Sequence, residues 1–293
     1  MNGKLFVVAT PIGNLKDISQ NAIETLNVSD LIAAEDTRVT INLLRHFDIK
    51  TKLVSYHKFN EKMQSQKLIE EMMKGKNICL VTDAGTPCIS DPGSILVREA
   101  IDRGIEVIGI PGPSAVITGL SISGFDISSF SFYGFLAKEK KKFNEALNNI
   151  KNDSSKIAVI YESPKRVVNT LKQITETLNN PKVCVCNDLT KKFEKKYYGS
   201  CDEVIEMLNN NQNHELGEYV IIIEKNEMTF TTEYTILSIE ADLVDAMIKN
   251  NCTMKEAIKI VSSNRKKANS KSEVYEASLK VKEMFLDNID KNK

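Results

Sequence analysis

The sequence predicts an α/β protein: two successive α/β domains followed by a small C-terminal helical region. Three observations carry this prediction. Through the first hundred residues short β-branched runs alternate with amphipathic stretches, the pattern of a parallel sheet wrapped by helices. A Ser-, Gly- and Phe-rich connection around residues 121–131 then leads into a second strand-rich stretch. From about Thr235 the apolar period becomes purely helical. The expected boundaries are 1–122, 123–230 and 231–293.

Taken in order, the apolar runs Leu5 to Ala9, Leu31 to Ala34, Ile78 to Thr82 and Ile105 to Ile110 are short and bounded by Gly, Pro or Asp, as buried parallel strands are. Helices fill the gaps. One is expected to begin near Asp17, which can cap the free amides with Gln20 three residues on. Another is expected from Pro92 to about Arg103, with Asp91 as its N-cap, Gly104 as its stop, and Leu96, Val97, Ala100 and Ile101 as its apolar stripe. The second domain should hold strands at Phe130 to Phe135, Ile157 to Tyr161, Val183 to Cys186, Lys196 to Gly199 and Tyr219 to Ile223, with a helix at Val167 to Leu178. Its looser spacing allows antiparallel pairing. The tail should carry a helix from Leu237 to Lys249, a Thr253 cap answered by Glu256, and a Ser270 cap answered by Glu273. Asn264-Arg265-Lys266-Lys267 lies between the last two helices, and reads either as a helix-turn-helix corner or as a solvated loop.

The chain has 293 residues with 42% hydrophobic content, enough for packed cores in two or three domains. No run of eighteen apolar residues occurs, and the N-terminus leads directly into a strand-like segment rather than a signal core, so a cytoplasmic, non-membrane protein is expected. Six cysteines form no Cys-x-x-Cys pair and there are only three histidines, so the thiols read as reduced and structural, and no metal is expected. Net charge is zero, with 39 Lys and Arg against 39 Asp and Glu, so any nucleic-acid affinity has to be local. Two clusters could supply it: residues 138–142, with Lys140 and Lys141, and residues 191–198, where Lys191 and Lys192 precede interleaved lysines and aromatics. Taken alone, each reads first as a solvated face.

Three loops of Gly, Pro and small residues follow expected strands: Thr10-Pro11-Ile12-Gly13-Asn14, Asp83-Ala84-Gly85-Thr86-Pro87 and Pro111-Gly112-Pro113-Ser114-Ala115. Each alone is an ordinary turn. Together, at the C-terminal ends of parallel strands, they are expected to meet where open α/β sheets bind ligands, with backbone exposed to a flat heterocycle. Neither Gly-x-Gly-x-x-Gly after the first strand nor Gly-x-x-x-x-Gly-Lys-Ser/Thr is present, which argues against a diphosphate cradle. A phosphate-free ligand with an adenine, a ribose and an amino-acid tail suits such loops; S-adenosylmethionine fits that description, although spacing alone does not single it out.

With these loops, Glu35-Asp36-Thr37-Arg38, Ser90-Asp91-Pro92-Gly93 and Tyr161-Glu162-Ser163-Pro164 complete a set that resembles the tetrapyrrole-methylase superfamily. The combination of Thr-Pro-Ile-Gly-Asn, Glu-Asp-Thr-Arg and Asp-Ala-Gly-Thr-Pro is similar to its ribosomal RNA small-subunit methyltransferase I branch, over roughly residues 4–226. The resemblance implies a fold of two α/β domains with S-adenosylmethionine in the interdomain cleft, and 2'-O-methylation of a cytidine in the decoding region of 16S rRNA by a homodimer. It further implies cofactor contacts at Pro11, Ala84, Gly85, Thr86, Ile89, Ser114, Ala115 and Glu162. Where related sequences read Arg-Glu-Leu-Thr-Lys, this chain has Asn187-Asp188-Leu189-Thr190-Lys191; if that patch supports the cofactor pocket or the RNA backbone, a neighbour such as Lys191 or Lys192 has to stand in for the arginine as a point charge.

Methyl transfer from a sulfonium depends chiefly on alignment, since orientation reaches effective molarities of roughly 10⁵–10⁸ M and a general base adds only about 10²–10⁴. Candidates to accept or orient the hydroxyl proton are Glu35, Asp36, His57 and Glu162. Their bland readings are a helix cap for Asp36, a Glu35–Arg38 ion pair, and a packed or surface His57. RNA contacts are expected at Asn14, Arg38, Lys140, Lys141, Lys191, Lys192, Arg265 and Lys266. The competing functions are a porphyrin or corrin methylase sharing the cleft and a non-catalytic ribosome-assembly protein.

Overall fold

The computed structural model describes residues 2–226, 238–264 and 271–290. The chain forms two compact units, Met1–Glu227 and Met228–Lys293. The first contains two five-stranded sheets. In the first sheet the order is β3-β2-β4-β1-β5, all parallel, from β1 (Leu5–Val8), β2 (Leu31–Ala34), β3 (Leu53–Ser55), β4 (Ile78–Val81) and β5 (Val107–Ile110). Its helices are α1 (Gln20–Val28), α2 (Thr37–His46), α3 (Glu61–Met73), α4 (Ser94–Asp102) and α5 (Ala115–Ile122). Successive strand residues point to opposite faces, so Leu5, Ala33, Ile78 and Leu80 join one core while Val8, Ile32, Ala34, Cys79 and Val81 join another. Both faces are buried, which is why these strands read as unbroken apolar runs.

The second sheet has the order β6-β7-β10-β8-β9, from β6 (Phe130–Phe135), β7 (Ile157–Glu162), β8 (Lys182–Asn187), β9 (Lys195–Ser200) and β10 (Tyr219–Glu224), with α6 (Lys140–Asn152), α7 (Val167–Leu178) and α8 (Cys201–Asn209). Only β6 and β7 pair in parallel; the other neighbours are antiparallel. One face of this sheet packs on α6, α7 and α8 through Ile160, Val185 and Ile221. The other face, through Val159, Cys184, Cys186 and Ile222, packs on Val116 and Leu120 of α5 and on Ile12 of the first loop. Gly119 makes that approach close, since a Cβ there would lie 3.1 Å from Ile222 Cδ1. One helix after the first sheet therefore seats the second sheet above the first sheet's strand ends.

Two helix starts differ from the local sequence signals. Asn14 caps a short 3-10 turn at Leu15–Asp17, and Ser19 caps α1 by accepting from the Ala22 amide. Helix α4 starts at Ser94 after Gly93 at φ 144, not at Pro92, and Asp91 does not cap it. A Cβ on Gly93 would strike Cys88 Sγ and Leu80 Cδ2, at 2.5 and 2.7 Å, so the chain turns there and frees the Asp91 side chain for the cleft.

The second unit consists of α9 (Ile239–Asn250), α10 (Met254–Asn264) and α11 (Lys271–Asp290) around Leu243, Ala246, Ala257, Val261, Val274 and Ala277. The backbone amide and hydroxyl of Thr253 both donate to the Glu256 carboxylate, which is the glutamate half of the expected capping box. Leu237, Arg265, Lys266, Lys267 and Ser270 lie outside the described residues. Among the described residues no helix is long and apolar enough to cross a membrane.

Candidate active site

The three small-residue loops follow β1, β4 and β5, which are adjacent in the order β4-β1-β5, and hydrogen bonds fasten them together. Thr10 and Gly85 exchange backbone bonds of 2.9 and 3.1 Å, forming a bridge between the first and second loops. The Thr10 hydroxyl donates to Thr82 O at 3.1 Å, and the Thr86 hydroxyl donates to Pro113 O at 3.3 Å, joining the second loop to the third. Gly85, at φ +81, is where an L side chain would be strained, whereas a Cβ there would meet Ile12 and Pro113 only at ordinary contact distance.

The first loop also meets the second sheet. A Cβ on Gly13 would fall 2.5 Å from Lys191 Cγ and 2.9 Å from Thr190 Oγ1, and the Asn14 amide donates to that hydroxyl at 3.1 Å. The Asp188–Lys191 turn is itself held by Lys191, bound to Asp188 at 2.8 Å and Glu218 at 2.9 Å. Burial pulls the Lys191 ammonium down, but these two carboxylates outweigh it and its pKa is raised. Asn187 is buried and donates to the carbonyls of Leu216 and Glu218, so it braces the backbone beside Lys191.

Between loops and second sheet lies a cleft of about 430 Å³, within the usual range of small-molecule sites. Ile12, Ala84 to Thr86, Ile89, Ser114 and Ala115 line it from below; Phe135, Tyr161, Glu162, Leu189 and Val220 line it from the second sheet. Glu35, Asp83 and Asp91 gather at one side around Thr82, whose hydroxyl donates to Glu35 at 2.6 Å. Burial, then Glu35 beside it, pushes the Asp91 carboxyl up to about 6, and burial also raises Asp83. Burial and the neighbouring Asp91 push Tyr161 up to about 12, so it stays a neutral phenol.

Of the residues expected from sequence, the cleft brings together Glu35, Ala84, Gly85, Thr86, Ile89, Ser114, Ala115, Glu162 and Lys191. Pro11 is buried and is not among the residues that line the cleft. Glu162 is 2% exposed, and its carboxylate accepts from the Ser163 amide at 2.7 Å and the Thr170 hydroxyl at 2.7 Å, with Arg166 at 3.5 Å. Asp36 sits outside the cleft lining. It caps α2 through the Arg38 amide and grips the Arg38 guanidinium, which holds its carboxyl down to about 2; Arg38 therefore pairs with Asp36, not with Glu35. His57 is also away from the cleft, its Nδ1 accepting from the Phe59 amide. Lys140 and Lys141 are exposed at the start of α6, Lys192 lies over the Phe193 ring, and Asn14 is exposed on the first loop. The sequence reading missed Asp83, Asp91, Phe135, Tyr161 and Glu218 as cleft residues. For Phe135 a signal was available, because an aromatic strand end runs within three residues into the 138–142 lysines.

The fold and cleft define a methylase: the family described as Tetrapyrrole (Corrin/Porphyrin) Methylases matches residues 4–205. A crystal structure of diphthine synthase has the same fold, with a TM-score of 0.59 at 16% identity, over 76% of this chain and 91% of the other. Ribosomal RNA small subunit methyltransferase I of Halalkalibacterium halodurans is 43% identical over 90% of this chain and 91% of its own length. The Bacillus subtilis protein of that name is 41% identical over 94% of each. The chain belongs to the ribosomal RNA small subunit methyltransferase I family, within the tetrapyrrole methylases.

Proposed function

We propose that this protein transfers the methyl group of S-adenosylmethionine to the 2'-hydroxyl of a cytidine in the decoding region of 16S rRNA. The observation that carries this reading is the junction of three backbone-rich turns, bonded through Thr10, Gly85, Thr86 and Pro113, at the floor of one cleft. The residues fit the cofactor's chemistry. Ile12 and Ile89 offer apolar faces to an adenine, Gly85 at φ +81 holds a turn that an L side chain would strain, and Glu35 and Asp83 place carboxylates near a positive charge.

When bound, S-adenosylmethionine supplies an electrophilic methyl group on sulfur. The chain's own contribution is to bind, align and dry the site. Ala84, Gly85 and Thr86 present backbone, Ser114 and Ala115 close the third side, and Pro11 is a buried member of the first loop. Glu162, committed to Ser163, Thr170 and Arg166, stiffens the opposite wall. Water exclusion strengthens each polar contact made there. Asn14, Arg38, Lys140, Lys141, Lys191 and Lys192 contact the RNA, joined by Arg265 and Lys266 of the tail. In this reading residues 1–122 and 123–230 are the two α/β domains, residues 231–293 are the RNA-gripping tail, and the enzyme acts in the cytoplasm as a homodimer.

Mass spectrometry of 16S rRNA from cells with and without the gene tests the assignment. One ribose methyl on a cytidine should be missing when the gene is absent; unchanged rRNA overturns it.

A further inference from the structure

Phe135 sits 62% exposed at the cleft, at the end of the edge strand β6, which pairs with the largely buried β7. An isolated exposed phenylalanine needs no explanation. This one is presented by a distortion of the sheet. Phe132 pairs with Val159 and Phe135 with Tyr161, so three steps on β6 match two on β7, and Gly134 within the extra residue stands at φ +63. Such bulges re-aim a side chain. The turned ring lies 5.4 Å from the Tyr161 ring, which Phe132 supports from another side at 5.0 Å. The next two carbonyls, of Leu136 and Ala137, are clamped by the Arg166 guanidinium at 3.2 and 3.4 Å. The space a Gly134 side chain would take abuts Ser90 Oγ, the neighbour of Asp91.

We infer that the exposed Phe135 ring, buttressed by Tyr161 tilted 58° against it, is a stacking platform for the base of the acceptor nucleotide, and that Asp91 receives the proton of its ribose hydroxyl. This rests on the RNA-methylation reading and names the residues that serve it. Every base has a π-face that an exposed ring can take, and bases turned out of a stack are held in this way. The exposed lysines beginning at Lys138 follow Phe135 in the chain and face the adjoining phosphates. Asp91 shares the cleft with the platform, and freed from capping α4 it meets Glu35 after β2, Asp83 and Thr82 after β4, Cys88 on its own loop and Tyr161 on β7. As the oxygen bonds to the methyl carbon, its proton passes to the Asp91 carboxylate. The carbon–sulfur pair remains on sulfur as a neutral thioether, and Asp91 returns the proton to water. Its raised pKa makes it a stronger base than an ordinary carboxylate while leaving it ionised at neutral pH.

The test uses the full chain, tritiated S-adenosylmethionine and 30S subunits from cells lacking the gene, with two binding measurements: calorimetry with S-adenosylhomocysteine, and anisotropy of a labelled RNA hairpin in its presence. Phe135→Leu, which keeps apolar bulk at an exposed site, should weaken hairpin binding about fivefold or more, and Phe135→Tyr should restore it. Asp91→Asn should lower kcat about 10²-fold or more, erase the rise in rate that the wild type shows through about pH 6, and leave both affinities intact. The platform is overturned if Phe135→Leu binds RNA as the wild type does. The proton role is overturned if Asp91→Asn keeps the rate and its pH limb, or loses cofactor affinity in proportion. If the wild type itself transfers no methyl to 30S subunits, the RNA-methylation reading fails, a result distinct from either.

Discussion

Replacing Glu162 by glutamine probes the wall of the cleft without changing its shape. The carboxylate is almost wholly buried and takes three hydrogen bonds, from the Ser163 amide, the Ser163 hydroxyl and the Thr170 hydroxyl, besides the Arg166 ion pair. An amide keeps one acceptor oxygen and turns an NH₂ toward either the serine donors or Thr170 and Arg166. Hydrogen bonds to a charged group contribute about 1.5–3 kcal/mol each, and the Arg166 guanidinium loses its carboxylate partner. A destabilisation of about 2–4 kcal/mol follows, with Thr170→Val costing about 1.5 kcal/mol by removing one bond alone. The assay is guanidinium unfolding of both single variants and the double variant, read as a midpoint shift at unchanged m-value. Because both changes act on one bond, the double variant should cost less than the two together, by at least about 0.5 kcal/mol. A Glu162→Gln protein within about 0.5 kcal/mol of the wild type would refute a wall held by this carboxylate.

Asp91→Asn should stabilise the fold at pH 7 and not at pH 4. An acid whose folded pKa is raised contributes most stability below its unfolded value of 3.8 and loses it as pH rises toward about 6, so removing the charge removes that loss; thermal unfolding at the two pH values checks it. Gly85→Ala, at φ +81, should cost about 1 kcal/mol and lower affinity for S-adenosylhomocysteine in calorimetry, and unchanged affinity would count against backbone recognition at that loop. RNA affinity should fall with salt at a log-log slope of roughly 0.7–0.9 per phosphate contacted, and a flat titration would remove the lysine clusters from the interface.

The parallel sheet was legible because burial on both faces writes itself as short apolar runs, and the convergence of the three loops because only Gly, Pro and small residues suit strand ends packed so closely. β3 escaped notice: Leu53–Ser55 is three residues long and carries no continuous run. Asp91 was hidden by a strong local signal. Asp-Pro normally starts a helix, and nothing in the neighbouring letters reveals that Gly93 will take φ 144 to fit against Cys88 and Leu80. Likewise the bulge at Gly134 belongs to the register between two strands, which is a tertiary property. Asp36 and Arg38 lie two residues apart across a helix start, a spacing at which cap and guanidinium partner are one carboxylate; the competing Glu35 is instead taken up by Thr82.

The Asn14 amide and the Thr190 hydroxyl are 176 residues apart in the chain. At ribosomal elongation rates of about 5–20 residues per second, the amino-terminal loop waits roughly 10–35 s for the segment that braces it. A nascent chain can thus assemble its first sheet early yet carry no working pocket until nearly three-quarters of it has been synthesised, so prematurely terminated products are inert rather than partly active.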